Sequence, residues 1–120
     1  MRDRLPSQTD GYYRRVKIKI IIFESYGLIM YIAAVKLTFY ISQSNSLKNK
    51  RQVCRSLVDR ARQKFNASVA EVGTQELHKI LTIGVAVISG EKSHAQQSID
   101  EIIRFMDENT DAELTEVAEI

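Results

Sequence analysis

The sequence predicts an α+β fold, a ferredoxin-like βαββαβ sandwich with two helices on one face of a four-stranded antiparallel sheet. Three observations carry that reading. Residues 31–41 alternate at the period of a strand, two stretches (47–65 and 95–106) place apolar residues at helical spacing, and turn-forming residues separate the segments. Right-handed crossovers then bring both helices to the same side of one sheet.

Each element has its own justification. Ala33, Val35, Leu37, Phe39 and Ile41 form one apolar face of the first strand, with Ile32, Ala34, Lys36, Thr38 and Tyr40 on the other. The polar run Ser42 to Ser46 supplies N-cap candidates. A helix follows from Leu47 to Phe65, with its stripe at 47, 54, 57, 58, 61 and 65. Ala67 to Val72 is a short strand, Gly73 to Lys79 a polar turn, and Ile80 to Ile88 a strand rich in β-branched residues. Ser93 and Gln96 have capping-box spacing ahead of a second stripe at Ala95, Ile99, Ile102, Ile103 and Met106. Ala112 to Ile120 closes the domain as a strand. Leu37, Leu57, Val85 and Ile103 should sit at the centre of the core, on facing apolar sides of these elements.

All of this lies from Tyr31 onward, and the only proline, Pro6, lies before it. Residues 30–120 are therefore the expected domain. Residues 1–29 are expected to be a poorly ordered extension or a start-site artefact, with translation starting at Met30. The alternative is an extra edge strand over Val16 to Phe23.

The chain has 120 residues and a net charge of +2, which suits one domain. The charge is distributed unevenly. Residues 46–66 carry seven cations against Asp59 alone, whereas residues 67–120 carry three cations against eleven acids. A basic helix thus stands on an acidic body. One cysteine, Cys54, excludes an internal disulfide and suits a reducing compartment, so a cytoplasmic protein is expected. Val16 to Met30 is apolar but is interrupted by Lys17, Lys19 and Glu24, short of a membrane span.

Lys48, Lys50 and Arg51 fall in the first turn of the basic helix, where cations oppose the macrodipole. Such an arrangement is explained by an anion or an acidic surface to be contacted there. On a helical wheel Lys48, Arg51, Arg55 and Arg62 line one flank, and Lys50, Arg60 and Lys64 the other. The topology brings the turn containing Gln75, His78 and Lys79 to the same end. The candidate anion or RNA contacts are therefore Lys48, Lys50, Arg51, Arg55 and Arg62, with Gln75, His78 and Lys79 as neighbours. The competing structural reading pairs the first-turn cations with Glu76, Glu108 or Asp111.

No catalytic constellation is visible, and the protein is read as a non-enzyme. His78 and His94 have no metal-ligand spacing to each other or to Cys54, no phosphate loop occurs, and no serine or threonine has a recognisable base. Neither a metal nor a cofactor is expected. The outer sheet face lacks the aromatics that stack RNA bases on related sandwiches: of its central-strand residues, only Tyr40 would stack well. Ala34, Gly84, Ala86 and the isoleucines there suit packing against another surface, including a second copy.

Residues 30–120 resemble the YlxP-like family of small bacterial proteins of unassigned function. The matching strings are Ser-Leu-Lys-Asn-Lys-Arg at 46–51, Ser-Leu-Val-Asp-Arg at 56–60, Phe-Asn-Ala-Ser-Val-Ala-Glu-Val-Gly at 65–73 and Gly-Val-Ala-Val at 84–87. The resemblance implies a ferredoxin-like fold and a start near Met30. The family's genes often neighbour those of translation initiation factor two and ribosome-binding factor A, which implies a role near ribosome assembly. The family's usual acid and tryptophan after Gly73 are here Thr74 and His78, so any use of that aromatic is in question for this chain. The leading expectation is a non-catalytic accessory protein that contacts ribosomal RNA or a ribosome-assembly intermediate through the first helix. The alternative is a homodimeric interaction module that works through its apolar sheet face.

Overall fold

The computed structural model describes residues 18–118. Seven elements run in the order β1 (Lys19–Ser25), β2 (Leu28–Tyr40), α1 (Leu47–Lys64), β3 (Ser68–Glu71), β4 (Ile80–Ser89), α2 (Lys92–Glu108) and β5 (Glu113–Ala118). From β2 onward this is the expected βαββαβ order. The strands lie as β5-β2-β4-β3, all antiparallel, as a ferredoxin-like sandwich requires.

The sheet has a fifth strand, and this revises the expectation for residues 1–29. Residues 19–29 belong to a hairpin, β1–β2, closed by Tyr26 and Gly27 with φ of 51° and 77°. Two positive φ values in a two-residue loop match the right-handed twist of the flanking strands. Ile20, Ile21, Ile22 and Phe23 favour a pleated conformation. The edge-strand alternative over 16–23 is thus the arrangement seen from Lys19, while residues 1–17 lie outside the described residues.

β2 carries this addition because it is long. Its residues 31–40 pair with β4 on one edge. On the other edge Lys36 to Tyr40 pair with β5, and Leu28 to Ala34 pair with β1. β1 and β5 therefore occupy successive lengths of one edge. β5 contains a bulge opposite Thr38 and Phe39, where the Thr115 hydroxyl donates to the Thr38 carbonyl at 3.1 Å.

The core lies between the sheet and the two helices. Leu37, Leu57, Val85 and Ile103 are all at or below 2 % exposure, at its centre as the sequence predicts. Phe39, Leu81, Ile83, Ile99 and Met106 fill the rest. At the far end of the helices Phe65 meets Phe105 edge to face, with ring centroids 5.4 Å apart.

The helix starts differ from one another. Ser46 caps α1: its hydroxyl accepts from the Asn49 N–H at 3.1 Å. The capping box expected at Ser93 and Gln96 is absent, because α2 begins earlier, at Lys92, with Glu91 at the N-cap and no side-chain cap bond. The Ser89 hydroxyl instead accepts from the Glu91 N–H at 3.0 Å and lies 3.0 Å from His94 Nδ1.

Candidate functional site: a basic groove between α1 and β3

The first turn of α1 and the end of β3 meet through one buried ion pair. Lys50 is fully buried, and its Nζ lies 2.7 Å from Glu71 Oε2. It is the group that meets this otherwise unmatched buried oxygen. The same ammonium donates to the Thr74 carbonyl. Glu71 can reach it because Glu71 stands opposite Ile83, on the core side of β3, and so points under the helix. The turn is shaped around the pair: Gly73 has φ of 79°, and the Thr74 hydroxyl accepts from the Thr82 N–H at 3.0 Å.

Lys50 was expected among the anion contacts, and the structure corrects this. A buried, paired ammonium offers nothing to an outside anion. The signal was present in the spacing: Lys50 stands four residues before Cys54 and seven before Leu57, on the apolar stripe itself rather than its flank. For Lys50, the expected pairing with Glu76, Glu108 or Asp111 is likewise replaced by pairing with Glu71.

Lys79 is also structural. Its ammonium donates to the Ser42 and Ser44 carbonyls at 2.9 and 2.8 Å, fastening the loop before α1 to the start of β4. Gln75 and His78 are exposed on the turn between β3 and β4. Arg60 donates to the Asn109 carbonyl at 3.2 Å. Lys64 lies over Phe105, 5.4 Å from the ring centroid.

The remaining predicted cations face outward. Lys48, Arg51, Arg55 and Arg62 are exposed. Arg51, Arg55 and Arg62 line one shallow groove of about 360 Å³ between α1 and β3, with Cys54, Asp59 and Glu71. Arg62 is held there by its bond to the Val69 carbonyl at 2.5 Å. Because Lys50 neutralises Glu71, three guanidinium groups face this groove against the Asp59 carboxylate.

Cys54 does not make the groove a nucleophilic site. Its Sγ lies 4.0 Å from Glu71 Oε1. Burial pushes the thiol pKa up, and the Glu71 carboxylate adds to that, so the protonated form is favoured. A larger groove, about 640 Å³, lies on the other flank of α1, where Arg60 faces Glu108 and Asp111. Its mixed charge makes it the weaker anion site. Among the described residues no group of three or more His, Cys, Asp or Glu is placed to hold a metal, and no helix is long and apolar enough to cross a membrane.

Fold and groove together define a small ferredoxin-like sandwich whose first helix presents arginines beside an edge strand. The chain belongs to a family described as proteins of unknown function (DUF503), which it matches over residues 32–119. It is also similar to an uncharacterized protein, YlxP, of Bacillus subtilis (strain 168): 29% identical over 75 residues, covering 62% of this chain and 82% of that protein. Two strings that carry the YlxP-like resemblance, 46–51 and 65–73, contribute Ser46, Lys50 and Glu71. They are the two sides of the cap and buried ion pair.

Proposed function

We propose that this protein is a cytoplasmic, non-catalytic accessory factor that contacts RNA, of a ribosomal subunit or an assembly intermediate, through the Arg51–Arg55 flank of α1. One observation carries the reading. Lys50 is consumed inside the fold, while Arg51, Arg55 and Arg62 converge on one groove whose Glu71 carboxylate is already neutralised. Guanidinium groups in a row match the forked acceptors of successive phosphates. Such contacts position a backbone without reading bases. The sheet face, with Tyr40 as its sole aromatic at a central-strand stacking position, adds no base-stacking platform.

The test is co-sedimentation with purified ribosomal subunits across a salt series. Phosphate contacts release counterions, so log affinity should fall linearly with log salt. The variant Arg51→Glu/Arg55→Glu should lose the association at every salt concentration. Binding that ignores salt, or that survives the double reversal, would place the contact elsewhere.

A further inference from the structure

We propose that β1 is a self-pairing edge, and that two copies of this chain join antiparallel through it to form one continuous ten-stranded sheet. The proposal concerns a surface separate from the basic groove. It begins with what the hairpin exposes. Every residue from Ile21 to Met30 is exposed, including Ile21, Ile22, Phe23, Leu28, Ile29 and Met30. Among the described residues β1 pairs with β2 alone, so its outer edge carries unpaired backbone groups beside apolar side chains. A long apolar edge of this kind is a template for another strand.

The backbone register fits a second copy. Ile41 donates its N–H to the Lys79 carbonyl at 2.8 Å, which puts the odd-numbered residues of β2 on the β4 side. The even-numbered ones, Leu28 to Ala34, therefore bond to Ser25, Phe23, Ile21 and Lys19. Ile20, Ile22 and Glu24 are left with their N–H and C=O groups turned outward. A two-fold axis through Ile22 sets Ile22 against its own copy and Ile20 against the partner's Glu24, so each outward group meets a complementary one.

The side chains fit the same register. Ile88, Ile32 and Ile21 stand in one row across β4, β2 and β1, and Phe23 and Met30 form the next. The axis places Ile21 beside the partner's Phe23, which prolongs the row into the second molecule. Like charges never face one another: Lys19 meets the partner's Ser25, and the antiparallel arrangement brings the Lys19 end of one strand to the Glu24 end of the other. The sequence alone suggested a dimer through the sheet face; the backbone geometry favours the edge. β1 also lies outside residues 32–119, the segment that matches the family.

Light scattering coupled to size exclusion on the full chain, over a concentration series, tests this. A dimer mass is expected, together with amide-exchange protection at Ile20, Ile22 and Glu24 that grows with concentration. Ile22→Lys puts two ammonium groups on the axis and should yield a monomer with those amides unprotected. Ile22 is 57% exposed, so the monomeric variant should still fold and melt cooperatively, below the parent only by the stability that association adds. A monomeric parent overturns the proposal. So does a monomer with protected amides, which would mean residues 1–17 cover the edge, or a dimer that survives Ile22→Lys, which would mean another face pairs.

Discussion

Glu71→Ala lowers the melting temperature by roughly 10–20 °C. Removing one member of a buried ion pair typically costs about 3–5 kcal/mol, since the other charge stays buried. In a domain of this size each kilocalorie is worth about 4–8 °C. Glu71 retains 16% side-chain exposure, which favours the lower part of that range, whereas Lys50 has none and would keep only the Thr74 carbonyl. Lys50→Met should cost a similar amount. The double variant Lys50→Met/Glu71→Leu should recover most of the loss, because an apolar pair in the same space needs no compensation. With the single variant Glu71→Leu added, thermal melts of Lys50→Met, Glu71→Leu and the double variant form a double-mutant cycle. If the two single losses simply add, the pair is not coupled.

Leu57→Ala comes next in size, at about 2–5 kcal/mol. Leu57 is 1% exposed and belongs to the hydrophobic core on α1. Denaturant titration should show a lower midpoint with an unchanged slope. A loss below about half a kilocalorie, typical of surface changes, would mean α1 turns a different face inward.

The order from β2 to β5 was legible because its periodicities are strong and its breaks are marked by Gly, Ser and Asn. Strand alternation at 33–41 and the helical stripe at 54–61 each match a single period. β1 was less legible, since a run such as Ile20-Ile21-Ile22-Phe23 lacks alternation and suits a strand or a buried segment equally. Its hairpin loop, Tyr26-Gly27, is also a weaker turn signal than Asn-Gly. The start of α2 was misplaced because Ser93 and Gln96 have cap spacing, whereas Ser89 reaches the first turn from the end of β4.

Within the candidate site, sequence put Arg51, Arg55 and Arg62 on one flank, where they line one groove, but did not foresee the partners of Lys50 and Lys79. Both are long side chains whose fate depends on an acceptor distant along the chain: Glu71 in one case, the Ser42 and Ser44 carbonyls in the other. Charge counts cannot separate a solvated lysine from one that threads into a core. Burial settles it. The strings at 46–51 and 65–73 contain the cap and clamp residues Ser46, Lys50 and Glu71, while Arg51 of the first string is exposed.

One comparison of melts separates the buried clamp cation from the exposed flank. Lys50→Glu sets a carboxylate against Glu71 inside the fold and should lower the melting temperature by at least about 10 °C, or prevent folding. Arg51→Glu/Arg55→Glu changes only exposed groups in the second and third turns of α1. Its melting temperature should stay within a few degrees of the parent. Equal large losses in both variants would contradict the account, as would a harmless Lys50→Glu.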